Sequence, residues 1–343
     1  MTPLLSALAG DDTIAALLSD TAQLQAMLAV EQALAEASAE AGWISPDAAQ
    51  AVAAAIAGFA PDWHRLKQGM ARDGVVVPDL VAQVRAQLPA EHRDGLHKGA
   101  TSQDIIDSAL MLQLDQVLAL LESRIVDIRA RLAELADRHG QQTLMAHTRM
   151  QAALPTHWGA KLASWAAPLG RHGTALEALR RTGLVLQLGG PVGDRSSFGG
   201  HGDAIAAAMA RRLGLADGPP WQASRDGVVE LGGRLAQITG TLGKIGADIT
   251  LLAQSEVQAV TLLTGGGSSA MAHKSNPIIA ETLVALARYN AGLSGVLQQA
   301  MVHEYERSGA AWTLEWLTLP PMLEATGASL RLSTTLLNQI RIN

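Results

Sequence analysis

The 343-residue chain contains no cysteine. That excludes a disulfide framework, thiolate metal ligands and a cysteine nucleophile, and it fits a reducing compartment such as the cytoplasm. Positive charge is also scarce. Lys and Arg number 26 against 32 Asp and Glu, a net charge of −6, whereas a nucleic-acid-binding protein normally carries a basic surplus. No apolar run approaches the ~20 residues that a membrane-spanning helix needs. The opening MTPLLSALAGDDT has no basic leader and meets acids at Asp11 and Asp12, unlike a secretory signal. Aromatic residues make up only 3% of the chain. Alternating strand patterns are almost missing, the best being the short stretch 183–188.

What is present favours helices. The chain is 48% apolar and 17% charged, a globular composition, and it is rich in alanine, the best helix former. The first hundred residues carry short helical patterns broken by Gly42, Pro46, Pro61, Gly74, Pro78 and Pro89. From Ile105 to about Arg138 there is neither glycine nor proline. Leu114, Leu118, Leu121, Ile125, Ile128, Leu132 and Leu135 follow one another in alternating steps of four and three, a coiled-coil seam. A helix of ~30 residues spans ~45 Å, which predicts a long bundle.

A second seam runs from Val228 through Leu231, Leu235, Ile238, Leu242, Ile245 and Ile249 to Leu252. Extended to Leu263 it would place Glu256 in the interior, where a carboxylate needs a partner or a task. Ended near Leu252 it would leave Glu256 solvated. Further helices are predicted over 157–181, with Thr156 as N-cap after Pro155, over 281–299, and within 315–337 after Pro320 and Pro321. The chain therefore reads as all-α: a smaller helical N-terminal domain over 1–104 and a long-helix bundle over 105–343.

Three segments carry chemistry. Gly265 to Glu281 reads GGGSSAMAHKSNPIIAE. Three glycines let backbone N–H groups face an anion. A serine hydroxyl is a poor base unless cationic or N–H neighbours stabilise its alkoxide, and Lys274 follows Ser268 by six residues. The alternative is a solvated connector. The segment His97-Lys-Gly-Ala-Thr-Ser-Gln-Asp104 stands at the start of the first long helix. Thr101, Ser102 and Asp104 suit capping, but hydroxyls and N–H groups there also bind carboxylates. The third segment is His147-Thr-Arg-Met-Gln-Ala-Ala-Leu-Pro155. No histidine pair has metal-ligand spacing, HExxH does not occur, and there is no P-loop or Gly-x-Gly-x-x-Gly after a strand. Neither a metal nor a cofactor is therefore expected.

These segments resemble the signatures of the fumarase/aspartase superfamily. The first matches Gly-Ser-Ser-x-Met-Pro-x-Lys-x-Asn-Pro at every fixed position except Ala272, where the family has proline. The second matches His-x-Gly-x-Thr-Ser-x-Asp, and the likeness runs from about Ala29 to Leu319. The resemblance implies β-elimination, or its reverse, through a carbanion stabilised as an aci-carboxylate. It implies Ser268 as catalytic base, Lys274 and Asn276 on a substrate carboxylate, Thr101 and Ser102 on another, His97 in the site, and Glu281 where related lyases pair a glutamate with a catalytic histidine. It also implies a homotetramer whose sites each draw on three chains.

The third segment departs from the family pattern Thr-His-x-Gln-x-Ala-x-Pro. Aligned on Thr148, Gln151, Ala153 and Pro155, the family histidine becomes Arg149. An arginine supplies a fixed positive fork for a further carboxylate. This departure is similar to that of the branch that lactonises 3-carboxy-cis,cis-muconate, a tricarboxylate in the protocatechuate route of aromatic catabolism. The segments Gln254-Ser-Glu-Val257, Glu306-Arg307 and Ala311 to Trp316 resemble that branch too, and Leu188 to Gly193 looks like a familial glycine-rich turn. Ser268 and His97 both remain candidates for proton transfer to carbon. Other readings are adenylosuccinate lyase-like C–N cleavage, which the loss of the histidine disfavours, a catalytically silent structural relative, and a helical scaffold. Many members of the superfamily continue into a third small helical domain, which this chain is expected to lack.

Overall fold

A computed structural model describes residues 2–267, 271 and 274–343. The N-terminal part is built from α1 (Pro3–Ala9), α2 (Asp12–Leu17), α3 (Asp20–Glu40), α4 (Pro46–Ala57), α5 (Trp63–Asp73) and α6 (Val77–Ala86). Side chains of Asp11, Ser19, Ser45 and Asp62 cap α2 to α5 by accepting backbone N–H groups. A 3-10 turn, Ala90–Gly95, then leads to α7 (Ser102–His139). A hairpin of β1 (Thr143–Thr148) and β2 (Gln151–His157) follows, then α8 (Trp158–Ala178), α9 (Gly202–Leu213) and α10 (Asp226–Leu252). The chain closes with β3 (Val260–Leu262), α11 (Ile278–Gln299), α12 (Gly309–Asn338) and β4 (Ile340–Ile342), which pairs antiparallel with β3.

The all-α reading holds, and the α7 seam is as the sequence predicts: all seven of its apolar residues are buried. Burying one such side chain contributes roughly 1.5–3 kcal/mol, so this stripe alone commits α7 to the bundle centre. α7, α10 and α12 run in the same direction. Arg225, beside the start of α10, pairs with Asp107 near the start of α7 and with Glu315 near the start of α12. α8 and α11 return antiparallel. Gly140 and Gly159 join the end of α7 to the start of α8, while Arg180 reaches back to Asp115 and Glu122. The α10–α11 contact is close because α10 offers glycines there. A Cβ on Gly243 would stand 2.5 Å from the Ala287 Cβ, and one on Gly246 2.5 Å from the Ala280 carbonyl oxygen.

The bundle therefore has two ends. The starts of α7, α10 and α12 form the first. The hairpin, the described residues 263–267 and 274–277, and the β3–β4 pair form the second. No described helix is long and apolar enough to cross a membrane.

Several expectations are corrected. The second seam ends at Leu252, and residues 260–262 form a strand, so Glu256 is exposed in a turn. Pro155 and Thr156 lie in β2 and do not cap α8. Proline is tolerated there because a two-stranded ribbon leaves one edge of each strand unpaired. Pro320 and Pro321 lie inside α12. Each removes one helical hydrogen bond, but the helix is already nucleated at Ser308, whose hydroxyl accepts the Ala311 N–H. Its following turns are buried through Met322, Leu323 and Leu330. The stretch 183–188 makes only an isolated bridge, Val185 to Ala216.

Candidate active site

The first end is organised around the mouth of α7. Asp104 is fully buried and accepts four hydrogen bonds: from the Thr101 N–H at 2.9 Å, the Gly189 N–H at 2.7 Å, the Gly190 N–H at 3.0 Å and Gln187 Nε2 at 3.1 Å. Burial pushes its carboxyl up from the ordinary value, and these four donors work against that shift. The glycine-rich turn is thereby fastened over the helix start, next to Thr101 and Ser102. Gly193 takes φ +84 there, and a Cβ on it would fall 2.7 Å from Gln222 Nε2. The exposed guanidinium of Arg307 leans on the same place, donating to Gln103 Oε1 at 2.8 Å and to the Pro191 carbonyl at 3.3 Å.

His97 precedes this helix start with a left-handed φ of +58. Its Nδ1 lies 2.6 Å from Glu31 Oε1 on α3. Burial presses the imidazole pKa down, but the charge and hydrogen bond of Glu31, with help from Asp104, raise it overall. Beneath the site, Arg225 is fully buried between two carboxylates. Nη1 stands 2.6 Å from Asp107, Nε 2.8 Å from Glu315, and Trp312 Nε1 donates to Asp107 at 3.0 Å. This network locks the three helix starts together.

The second end carries the other predicted residues. Thr148 and Gln151 face each other in the hairpin register, so Arg149 and Met150 form a two-residue tip. Both have left-handed backbone, φ +48 and +66, the geometry that turns of this kind normally fill with Asn-Gly. Such strain in a residue other than glycine or asparagine costs on the order of 1–2 kcal/mol and clusters at functional sites. Arg149 lines a cleft of about 550 Å³ with His147, Thr156, Lys161, Asp248 and Gln254. Asp248 is occupied by Trp165 Nε1 at 2.7 Å and by Lys244. Burial pushes its carboxyl up, but these bonds outweigh burial and hold it low. Gln151 is exposed beside the cleft.

At the base of the glycine loop, Gly266 and Asn276 exchange two backbone hydrogen bonds of 2.9 Å. Asn276 Nδ2 also donates to the Gly267 carbonyl at 3.4 Å. Lys274 is exposed just inside this pinch, and Glu281 sits in the first turn of α11 beside a second cleft with Thr250 and Arg288. Ser268 and Ala272 lie outside the described residues. Among those described, no three His, Asp or Glu side chains converge as a metal-ligand set.

One chain thus groups His97, Thr101 and Ser102 at one end, and Arg149, Gln151, Lys274, Asn276 and Glu281 at the other. The 27 residues of α10 between these ends correspond to ~40 Å. Sequence reasoning did not find Glu31, whose partner is 66 residues away, and it read Asp104 only as a cap. The three-residue spacing of Asp104 from Thr101, that of a capping box, was the available signal for the latter.

A lyase family profile matches residues 10–290. The chain is 38% identical over 335 residues to the 3-carboxy-cis,cis-muconate cycloisomerase of Pseudomonas aeruginosa, covering 96% of this chain and 73% of that one. It is 35% identical to the enzyme of the same name from Acinetobacter baylyi, over 95% and 74%. The crystal structure of 3-carboxy-cis,cis-muconate lactonizing enzyme from Pseudomonas putida superposes with a TM-score of 0.92 at 34% identity, covering all of this chain and 78% of that one. The chain belongs to this lyase family, within the fumarase/aspartase superfamily.

Proposed function

We propose that the protein converts 3-carboxy-cis,cis-muconate to 4-carboxymuconolactone. One carboxylate oxygen forms a bond to an alkene carbon. The π electrons move to the adjacent carbon, delocalise into its carboxylate as the aci form, and collect a proton there. No group leaves, so this chemistry needs cations for three carboxylates and has no use for a leaving-group histidine. The observation that carries the reading is Arg149, an arginine held at a strained hairpin tip above a cleft that also presents Lys161. The similarity to cycloisomerases over nearly the whole chain supports it.

In this scheme Arg149, Gln151, Lys274, Asn276, Thr101 and Ser102 grip the carboxylates and bring one oxygen to the alkene. Such positioning is worth ~7–11 kcal/mol in favourable cases. Ser268 or His97 delivers the proton, and Glu281 serves the loop end of the site. No metal or cofactor enters the scheme. We place the reaction in the cytoplasm, in keeping with the absence of cysteine.

We further propose that the sites assemble in a homotetramer, because one chain holds its two residue groups ~40 Å apart. Apolar side chains left exposed along and after α11, including Tyr289, Val296, Met301 and Val302, are suited to that association. The test of function is incubation with 3-carboxy-cis,cis-muconate, following loss of diene absorbance; no loss at any enzyme concentration removes the proposal. The test of assembly mixes two inactive variants, Thr101→Val and Lys274→Ala, under exchange conditions. Recovered activity is expected from mixed oligomers, and none would arise if each chain formed its own site.

A further inference from the structure

Glu31 is an unusual residue for its place. It lies on the inward face of α3 beside Val30, Leu34 and Ala35, all buried, and is itself only 2% exposed. Its Oε1 meets His97 Nδ1, and its Oε2 has no hydrogen-bond partner among the described residues. A half-satisfied buried carboxylate is expensive, and an apolar residue would serve the packing of α3 better. His97 carries a second, smaller cost, since its left-handed φ of +58 is uncommon outside glycine, although histidine tolerates it better than most side chains. Two independent penalties therefore meet in one contact.

The contact fixes the chemistry of the ring. A carboxylate only accepts hydrogen bonds, so Nδ1 must carry a proton. In the neutral ring the basic lone pair is then on Nε2, which makes no hydrogen bond among the described residues. The side chain of His97 remains 17% exposed. The other charged groups facing the ring are Asp104 from α7, which favours the cation, and Arg85 from α6, which opposes it. Glu31 tips that balance.

We propose that Glu31 is a positioning residue for the reaction: it holds the His97 ring with Nδ1–H turned inward, presents Nε2 to the substrate, and stabilises the imidazolium that exists whenever Nε2 carries the proton to be exchanged with carbon. The proposal rests on the reading of the α7 mouth as part of the active site. It assigns to His97 a carboxylate partner on a different element from any of the sequence signatures.

The experiment compares the full-length parent with Glu31→Gln and Glu31→Asp. Glu31→Gln keeps an oxygen that accepts the Nδ1 proton but removes the charge. Imidazole ¹⁵N NMR titration of His97 is expected to show the Nδ1–H tautomer in both, with the pKa of the variant lower by about one unit or more, as for loss of an adjacent opposite charge. The pH limb of kcat/KM should move down by the same amount. kcat should fall ~10–100-fold with KM nearly unchanged, the scale of losing a group that orients and tunes a functional histidine. Glu31→Asp should recover part of both shifts. A folded Glu31→Gln protein whose His97 titrates as in the parent, or whose pH limb stays in place, overturns the proposal. Should Glu31→Gln not fold, Glu31→Asp decides by the same two readouts. A parent inert towards the tricarboxylate removes the functional reading instead, and the substrate-free titration then decides the pair.

Discussion

The two ends of the bundle are built on opposite principles. At the α7 mouth the central charged groups are held by partners from the same chain. Asp104 has four donors, and Arg225 has two carboxylates. At the other end Arg149, Gln151, Lys274 and Glu281 stand exposed. The first end is preorganised by its own chain before any ligand arrives. The second presents charge outward. Stability and catalysis should therefore separate along the length of the molecule.

The largest expected effect lies at the first end. Arg225→Met leaves Asp107 and Glu315 buried without their cation, and breaking a buried pair in this way costs about 3–5 kcal/mol. Urea unfolding should show that loss. A change under about 1 kcal/mol would mean that the network is not a structural keystone. At the second end the separation should reverse. Lys274→Ala removes an exposed ammonium, so unfolding should shift by no more than about 0.5 kcal/mol. Loss of a charge-stabilising donor should lower kcat about 10²–10³-fold. Equal losses of stability at both ends would collapse the distinction.

Arg149→Gly probes the hairpin tip more finely. Glycine accepts left-handed backbone without penalty, so the fold should gain about 1 kcal/mol. The missing guanidinium should cost about 1.5–3 kcal/mol of substrate binding, a rise in KM of roughly 10-fold or more. A variant that is stabilised yet weaker in binding would identify the strain as serving function. Unchanged kcat and KM would detach Arg149 from the tricarboxylate.

The same contrast explains what the sequence made readable. The α7 seam was legible because one face of a long helix is buried along its whole length, which imposes the alternating four-and-three spacing. The β1–β2 hairpin was not, because nearly every residue of β2 is exposed and no buried face writes a period of two into it. The end of α10 was ambiguous for a related reason: Ala259 and Leu263 continue the count, although they flank β3, whose Val260 is buried where it pairs with β4. Candidate residues within a motif, such as Thr101 and Lys274, could be named from the resemblance that the motif carries. Glu31 could not, since its meeting with His97 depends on how α3 lies across the start of α7.

The smallest expected effect tests that long-range pair through stability. The pKa of His97 is raised in the folded protein above its ordinary 6.5, so the folded state binds the proton more tightly than the unfolded chain. The resulting stabilisation is fully present below about pH 6.5 and is lost as pH rises through the folded value. Above that, Glu31 faces a neutral ring, and its buried charge is a liability that glutamine does not share. The parent should therefore have a higher Tm than Glu31→Gln at about pH 5.5, and that lead should vanish or invert by about pH 9. The measurement is a series of thermal melts of both proteins across this range. A Tm difference that stays constant with pH would mean that Glu31 supports α3 by packing alone, and the α7 mouth would then lose its proton-linked character.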